Sequence, residues 1–565
     1  MKRILILSFS FLLIVSSNAQ QLSKADEQFV DSIMNASYKP DGPGAVILIA
    51  KKGLPVFRKA YGLANLELNV NNKPDYVFRI GSMSKQFTAV CILKLAQEGK
   101  LSLQDDINKY LPDYNIHGRH ITIENLLTHT SGITSYTEKK DFRPKMVIDQ
   151  SKEDIMNYFM NDSLLFEPGT DWSYSNSGYV VAGLIVEKVS GMSLNEYLQQ
   201  NIFHPLRMFN TSIGSYDSIV LNSAFGYEAA GYGKFKPASY LSWSWPYAAG
   251  AIVTNVDDLL KWDNALYTDK IIKSEWLEKA WKPFLLPNGQ LTNYGFGWSV
   301  GNYHGLKFIT HGGAIKGFLS DGIRIPSQQI YVTILSNSTS KSPSDFSSNI
   351  ALRVAGQFVT TPSFVRIDKK VLENYTGVYA VHRSGKRIST NSTDERMYRY
   401  LTIKDDTLFS QSKGKSKNAL VNITKDLFAF KSSNTYCKFH RNEKDKIVSL
   451  EIYSEPIQYG PSELEPKTDI PLPKEKLAVA IDVNKLGQLK GKYDFGGGFI
   501  IQVSLEGNKI YIQATGQEKE EIFAENQTNF FLKTVDATIE FLIVNGKVSG
   551  MFLNQGGKFE AKKIE

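Results

Sequence analysis

The spacing of apolar residues changes character several times along the chain. Two apolar runs, residues 44–50 and 55–62, are separated by a Lys-Lys-Gly turn, which predicts a strand–turn–strand unit. From Ser82 to about Trp281 helical spacing dominates. Strand-like runs then return, at residues 295–300, 307–310, 322–325 and 330–335. A polar amphipathic run over residues 344–358 predicts a closing helix. Strands at both ends with helices between them predict an α/β sandwich whose sheet is built from both termini.

After Thr361 the pattern changes to short alternating strands broken by charged turns, and it repeats itself. Residues 372–379 resemble residues 486–493, and two further pairs of segments match in the same order. Each copy accommodates seven or eight short strands, which predicts two small antiparallel β-barrel domains. The predicted segments are a signal peptide (1–19), an α/β domain (20–361), a β domain (362–465), a Pro-rich linker (466–484) and a second β domain (485–565).

The first residues have the pattern of a secretory signal. Lys2 and Arg3 precede an apolar run at residues 4–15, which is too short for a comfortable membrane span. The small residues around Ala19 supply a cleavage site, and no cysteine follows for a lipid anchor. We therefore expect a periplasmic or secreted protein without stable membrane insertion after cleavage. An uncleaved membrane anchor is the alternative.

Charge and composition exclude several classes of function. The net charge of +8 falls to +6 without Lys2 and Arg3, and the basic residues are scattered, so no nucleic-acid partner is expected. Metal-binding, Walker and dinucleotide motifs are absent from the sequence, so we expect no metal and no cofactor. Cys91 and Cys437 fall in different predicted domains, which favours two reduced thiols over a long-range disulfide.

The strongest chemical signal is Ser-Met-Ser-Lys at residues 82–85, at the start of an apolar-periodic stretch. If Ser82 opens a helix, Lys85 lies on the same face and its amine comes within reach of the serine hydroxyl. A serine becomes a nucleophile when a neighbour takes its proton. The same spacing recurs in polar segments, for example from Ser338 to Lys341, so the spacing alone is weak evidence.

Two further motifs follow downstream. Tyr174-Ser175-Asn176 supplies a phenol, whose anion is favoured beside an ammonium, and an amide suited to gripping a substrate amide. His311-Gly312-Gly313-Ala314 follows a strand-like run, where paired glycines permit close approach and a backbone N–H such as that of Ala314 can face an oxyanion. Each motif alone fits an ordinary loop or turn.

The order and spacing of the three motifs resemble the serine β-lactamase and penicillin-binding-protein superfamily. The branch with Tyr-x-Asn second and Lys-Thr-Gly or His-x-Gly third is the most similar. It holds class C β-lactamases, DD-carboxypeptidases, D-aminopeptidases and family VIII-type esterases. Other family-like stretches are residues 124–133, 249–254 and 294–298. The resemblance runs from about Pro43 to about Phe358, and it implies a β-lactamase-like α/β sandwich with an antiparallel sheet. The two β domains resemble the lipocalin-like modules found after such catalytic domains.

The resemblance also implies a mechanism. Ser82 attacks a carbonyl carbon, Lys85 and Tyr174 move the proton, and the N–H groups of Ser82 and Ala314 bind the oxyanion. Asn176 and His311 orient the substrate, and Gly313 belongs to the same substrate and oxyanion segment. An acyl-enzyme forms on Ser82 and water releases it. Which of Lys85 and Tyr174 is the general base stays open.

The substrate implied is small: a D-amino-acid peptide, an ester or a β-lactam. The third motif begins with histidine instead of lysine. This makes the activities of D-aminopeptidases and esterases more expected here than penicillin hydrolysis. A penicillin-binding sensor or trap that acylates without turnover is the alternative. For the β domains, support or contact in a homodimer, a loop at the active-site mouth, and binding of an apolar ligand all stay open.

Overall fold

The computed structural model describes residues 21–565 apart from 140, 232–233, 304, 358–366, 382–397, 413–414, 432–434, 456–457, 459, 475, 497–498 and 556. The predicted signal peptide at residues 1–19 and the predicted boundary at residues 361–362 lie outside the described residues.

The first domain is organised around one antiparallel sheet. Its strands, with those of its small accessory sheets, are β1 (Ala45–Lys51), β2 (Leu54–Tyr61), β3 (Leu63–Asn65), β4 (Val70–Asn71), β5 (Phe78–Arg79), β6 (Ser212–Ile213), β7 (Tyr227–Gly231), β8 (Lys234–Pro237), β9 (Ile252–Thr254), β10 (Ser299–Tyr303), β11 (Leu306–Ile315), β12 (Phe318–Ile325) and β13 (Ile330–Ser336). The main sheet has the order β10-β11-β12-β13-β1-β2. Strands from both ends of the domain therefore pair, β1 with β13, as the hydrophobic pattern predicted.

Helices cover both faces of this sheet. They are α1 (Lys24–Ser37), α2 (Ser84–Gln97), α3 (Ile123–Leu127), α4 (Phe142–Lys145), α5 (Lys152–Asn157), α6 (Asn176–Ser190), α7 (Leu194–Leu198), α8 (His204–Leu206), α9 (Tyr247–Gly250), α10 (Val256–Ala265), α11 (Ser274–Ala280) and α12 (Ser344–Val354). On one face α1 and α12 bury residues such as Met34 and Ile350 against alternate strand positions. On the other face α2 and α6 are buried along most of their length in the larger core. This is the β-lactamase-like α/β sandwich.

Three details differ from the sequence prediction. The strand predicted at residues 295–300 begins only at Ser299, because Gly297 adopts a positive φ of 81° and makes a turn. The closing helix ends at Val354, because Gly356, at φ 74°, takes the left-handed conformation that ends helices. The helical middle of the domain also contains the hairpin β7–β8 and the small sheet β5-β9-β6.

Two eight-stranded, barrel-shaped domains follow. The strands of the first are β14 (Gly377–Ala380), β15 (Tyr398–Lys404), β16 (Thr407–Ser412), β17 (Asn418–Thr424), β18 (Leu427–Phe430), β19 (Thr435–Arg441), β20 (Ile447–Ser454) and β21 (Glu463–Pro466), preceded by α13 (Lys369–Leu372). Those of the second are β22 (Gly491–Asp494), β23 (Ile500–Glu506), β24 (Lys509–Ala514), β25 (Lys519–Ala524), β26 (Asn529–Phe531), β27 (Thr538–Val544), β28 (Lys547–Asn554) and β29 (Lys558–Lys563), preceded by α14 (Val483–Gln488). In the second domain β22 pairs with β29 and closes the barrel.

Each barrel has an apolar interior of its own. Phe428 and Phe439 pack with Tyr375 in the first, and Phe530 and Phe541 pack together in the second. In the first barrel a largely buried ion pair also bridges strands that are far apart in the order of the sheet, since the Arg399 guanidinium on β15 donates to the Glu465 carboxylate on β21 at 2.7 and 2.8 Å. The alternation of apolar and polar residues that predicted these strands thus reflects one filled interior per repeat.

The two cysteines, Cys91 and Cys437, are buried and unpaired in different domains, which confirms the prediction of free thiols. Within the described ranges, no helix combines the length and apolar character needed to cross a membrane.

Candidate active site

Ser82 lies at the junction between a strand and the central helix. It occupies a 3₁₀ turn, Gly81–Met83, and α2 begins two residues later at Ser84. The turn and the helix are continuous, so the three-residue spacing still brings Lys85 beneath the serine. Lys85 Nζ lies 3.2 Å from Ser82 Oγ.

The Lys85 amine is fully buried, and burial lowers its pKa well below the ordinary lysine value. Besides Ser82 it has two hydrogen-bond acceptors, Asn176 Oδ1 and the Ala249 carbonyl, each at 2.8 Å. A neutral amine donates two hydrogens and keeps one lone pair, whereas an ammonium donates three. The three partners therefore suit both forms: a neutral Lys85 accepts from the serine hydroxyl, and a protonated one donates to the serine oxygen.

Tyr174 lies above this lysine, with Lys85 Nζ 4.8 Å from the centre of its ring. The Tyr174 hydroxyl is buried, and it forms no hydrogen bond of good geometry. Ser82 is nevertheless close enough to lower the pKa of Tyr174 slightly, against the effect of burial. Burial dominates and raises the pKa of Tyr174 far above 10, which keeps the phenol protonated.

The position of Tyr174 is set by the start of α6 and by a buried histidine. Ser175 caps α6 by accepting from the Gly178 N–H, and its own N–H donates to His129 Nδ1 at 3.1 Å. The His129 ring packs on Tyr174 with a centroid distance of 4.3 Å. Burial and the nearby Lys85 hold the pKa of His129 well below 6.5, so the imidazole stays neutral and accepts this hydrogen bond.

Asn176, the first residue of α6, connects the second motif to Lys85. Its Oδ1 accepts from the lysine, and its Nδ2 donates to Thr137 Oγ1 at 3.1 Å. Its backbone N–H donates to Ser135 Oγ at 3.1 Å. The amide was predicted to grip a substrate; the structure places it on the wall of the cavity described below, with its oxygen already engaged by Lys85.

His311 lies on β11 and is only 2% exposed. Its Nε2 lies 2.8 Å from the Tyr294 hydroxyl, and its Nδ1 lies 2.5 Å from the Gly312 carbonyl. Because a carbonyl oxygen only accepts hydrogen bonds, we assign the proton of the neutral ring to Nδ1, which leaves Nε2 to accept from the Tyr294 hydroxyl. Burial and Lys85 lower the pKa of His311 to about 3, so this residue brings no positive charge to the site near neutral pH. The prediction that it orients the substrate is untested; its contacts here are with Tyr294 and Tyr174.

The glycine motif allows β11 to pack tightly behind the nucleophile. A Cβ on Gly313 would stand 1.9 Å from the Ile80 carbonyl, so only glycine fits. Gly81, at φ 51°, brings its Cα so close to Ala314 that a Cβ there would lie 2.9 Å from the Ala314 nitrogen. The backbone of Ala314 is thus adjacent to the turn that carries Ser82. β10 pairs with β11 only as far as Thr310. The part of β11 that carries the third motif, from His311 onward, is therefore an edge strand on the β10 side.

These groups meet at one open cavity of about 550 Å³. Ser82, Asn176 and Ala314 line it directly, whereas Lys85, Tyr174, His311 and Gly313 stand behind the lining. The remaining walls come from Tyr136 and Thr137, from the α9 segment, and from the hairpin β7–β8. The structure therefore brings all three motifs to a single place.

Sequence reasoning missed several residues of the site. Ser135, Thr137 and Ala249 hold Asn176 and Lys85 in place, and His129 and Tyr294 support Tyr174 and His311. His129, Ala249 and Tyr294 fall within the family-like stretches at residues 124–133, 249–254 and 294–298, and this membership was the signal by which the sequence could have pointed to them. Ser135 and Thr137 had none. Among the described residues, no three His, Cys, Asp or Glu side chains are grouped so that they could hold a metal ion.

A loop of the first β domain reaches the back of this cluster. Gly460 packs on Trp172, leaving no room for a side chain, and its carbonyl accepts from Asn293 Nδ2 at 3.1 Å. Trp172 in turn contacts His129 edge-on at 6.1 Å. The loop therefore supports the aromatic cluster behind Tyr174, and it does not contribute to the described lining of the cavity.

Comparison with known proteins agrees with this geometry. The Beta-lactamase family profile matches residues 25–357, and a domain of unknown function, DUF3471, matches residues 475–565. Protein flp of Staphylococcus aureus (strain MRSA252) is 31% identical over 330 residues, which are 57% of this chain and 65% of that protein. The chain therefore spans just under two thirds of the length of this relative.

Two solved structures share the fold. The octameric penicillin-binding protein homologue from Pyrococcus abyssi has a TM-score of 0.54 and 25% identity over 78% of this chain and 99% of its own. The D-stereospecific amidohydrolase from a Streptomyces species has a TM-score of 0.51 and 25% identity over 58% of this chain and 98% of its own. Since the family profile covers more than half of the sequence and contains the three motifs that meet at Ser82, the chain belongs to the beta-lactamase family of penicillin-binding-protein-like serine hydrolases.

Proposed function

We propose that the protein hydrolyses an amide or ester bond of a small substrate through an acyl-enzyme on Ser82. The observation that carries the proposal is the placement of a buried, pKa-lowered lysine amine 3.2 Å from a serine hydroxyl that lines an open cavity. A lysine whose pKa is lowered becomes neutral at a lower pH than an ordinary lysine, and a neutral amine can accept the proton that a serine nucleophile must lose.

In the first half-reaction Ser82 Oγ bonds to the substrate carbonyl carbon while its proton passes to neutral Lys85. The carbonyl oxygen becomes an oxyanion, for which the backbone N–H groups of Ser82 and Ala314 are the proposed donors. The bond to the leaving amine or alcohol then breaks. The leaving group takes a proton from the Tyr174 hydroxyl, and the Lys85 ammonium then returns its proton to Tyr174.

In the second half-reaction a water molecule replaces the leaving group. Lys85, neutral again, takes a proton from this water through the Tyr174 hydroxyl as the water oxygen bonds to the acyl carbon. Breakdown of the second oxyanion expels Ser82 Oγ, which takes its proton back from Lys85, and releases a carboxylic acid. The raised pKa of Tyr174 supports its role as a neutral proton carrier, and the lowered pKa of Lys85 supports its role as the base.

The substrate range follows from the openness of the cavity and from the neutral third motif. A D-amino-acid amide or peptide, a small ester and a β-lactam all present a carbonyl to a serine in such a site. The similarity to a D-stereospecific amidohydrolase supports the first of these. The N-terminal pattern at residues 1–19 supports export, so the proposed site of action is the periplasm or the medium.

The test is a panel of chromogenic esters, D-aminoacyl anilides and a cephalosporin, with the wild-type protein beside Ser82→Ala. We expect turnover of at least one class and its loss in Ser82→Ala. Ser84→Ala is a poor control, because the buried Ser84 hydroxyl accepts from the Ile252 backbone N–H. Ser340→Ala, in another Ser-rich segment, is a better one, because the Ser340 hydroxyl bonds to the neighbouring Ser338 hydroxyl and not to the backbone. Hydrolysis that survives in Ser82→Ala would refute the assignment.

Mass spectrometry of the protein after incubation with a penicillin separates an enzyme from a trap. Rapid release of product leaves the protein at its original mass. A lasting adduct on Ser82 would mean that acylation occurs without turnover, and the sensor or trap alternative would then replace hydrolysis.

A further inference from the structure

The wall of the cavity at Ser82 carries a small cluster of charged side chains. Among the described residues that line it, three are charged: Glu228, Lys236 and Lys316. Glu228 and Lys236 are cross-strand partners on the hairpin β7–β8, and Lys316 lies in the turn after β11. Family resemblance did not single out any of the three.

The Glu228 carboxylate holds this cluster together. It accepts from Ser239 Oγ at 2.9 Å, and it lies 3.6 Å from Lys236 Nζ and 3.8 Å from Lys316 Nζ. Ser239 and the two lysines hold the pKa of Glu228 below its usual value, although burial opposes them. The carboxylate is therefore ionised and already balanced by two cations, so the cluster has a net charge of +1.

The two lysines retain donors that a ligand can use. Both distances to Glu228 exceed hydrogen-bond length, and each ammonium carries three N–H groups. The side chains are 57% and 37% exposed, so they reach a ligand without first losing a buried partner. An additional anion would find two donors here, whereas an additional cation would have to displace both lysines from Glu228.

The direction of β11 shows which part of a substrate meets the cluster. His311 lies three residues before Ala314, about 10 Å away along the strand, and Lys316 follows Ala314 by two residues in the turn after β11, so Ala314 separates the two. The leaving group needs a proton from Tyr174, whose ring is 6.3 Å from that of His311. The leaving group therefore lies toward His311, and the acyl part extends toward Lys316.

We propose that Lys236 and Lys316, held by Glu228, form a subsite for a carboxylate on the acyl part of the substrate. This inference rests on the proposed acyl-enzyme at Ser82. It narrows the substrate class to acyl groups that carry a negative charge, and it disfavours a free α-amine at that position.

Three p-nitrophenyl esters of matched length test the subsite: the adipate monoester, its neutral methyl ester, and a 5-(trimethylammonio)pentanoate. We expect kcat/KM to be highest for the anionic ester. Lys236→Ala and Lys316→Ala should each lower the ratio of anionic to neutral kcat/KM about two- to five-fold, the range of a partly exposed charge pair. Glu228→Gln should raise that ratio, because it removes the competing negative charge.

Lys234→Ala is the matched control, since Lys234 lies on the same hairpin outside the cavity lining and carries the same charge. It should leave the ratio unchanged. Equal ratios in wild type and both lysine variants, or a preference for the cationic ester, would overturn the subsite.

Failure of the subsite and failure of the proposed reaction are distinguishable. Loss of neutral-ester hydrolysis in Ser82→Ala supports the reaction whatever the charge preference. If hydrolysis does not depend on Ser82, the subsite can still be tested by itself. Calorimetry then measures the binding of monomethyl adipate to the Ser82→Ala protein. Weaker binding after Lys236→Ala and Lys316→Ala supports it, and equal or absent binding refutes it.

Discussion

Replacing Lys85 by arginine tests the central assignment, that this lysine is neutral in the free enzyme and takes the proton of Ser82. Arginine keeps a long cationic side chain with several donors, but it stays protonated at all accessible pH values and accepts no proton. The substitution therefore removes the base and keeps the charge of the protonated form.

The structure sets the size of the expected loss. Lys85 is the titratable side chain whose amine lies within hydrogen-bond distance of Ser82 Oγ, and two acceptors hold it there. A positioned general base contributes about 10²–10⁴-fold, or about 2.7–5.5 kcal/mol of transition-state stabilisation. We expect Lys85→Arg to lower kcat/KM by that factor at the pH values where the wild-type profile has levelled off, with no recovery in alkali.

The pH profile of the wild-type protein supplies the second half of the test. Because burial lowers the pKa of Lys85, kcat/KM should rise with pH and level off well below pH 10.5. For each pH unit below the pKa of Lys85, the fraction of the lysine that is neutral falls about tenfold. Lys94→Arg, on the same helix and partly exposed, is the control and should retain the wild-type profile. A Lys85→Arg protein with more than a tenth of wild-type activity, or a wild-type profile still rising at pH 10, would contradict the reasoning.

Three further predictions concern the groups around Lys85. Tyr174→Phe should lower kcat about 10²-fold or more for anilides, whose leaving group needs a proton, and less for p-nitrophenyl esters; equal losses for both substrates would argue against proton delivery by Tyr174. Gly313→Ala should prevent correct folding of the motif strand, because its Cβ meets the Ile80 carbonyl at 1.9 Å; a thermal melt and circular dichroism spectrum equal to wild type would refute this packing. The pKa of His311 falls from about 6.5 in the unfolded chain to about 3 in the fold, so the unfolded state binds the proton first and stability declines as pH drops through this interval. His311→Phe should make the free energy of unfolding less dependent on pH between 6.5 and 4, by about 1.4 kcal/mol per pH unit at most; denaturant titrations across this range measure it, and an unchanged slope would count against a buried neutral imidazole.

Much of the architecture was predictable from local patterns. Alternating residues in the last two hundred positions predicted two barrels, because a strand with one buried face must alternate. Strand patterns at residues 44–50 and 330–335 predicted a sheet closed by both termini, and β1 pairs with β13 in that way. The hairpin β7–β8 escaped prediction, since its strands are only five and four residues long and show no sustained hydrophobic period.

For the site, the sequence alone determined which residue types are available and that Ser82 and Lys85 share one side of a helical turn, because that depends on three-residue spacing. The tertiary structure decided the rest. The burial that lowers the pKa of Lys85, the Asn176 and Ala249 oxygens that hold it, and the neutral state of His311 arise from chain segments up to 226 residues from Lys85. Solvent exclusion and long-range contacts set these properties, and no local pattern of residues encodes them.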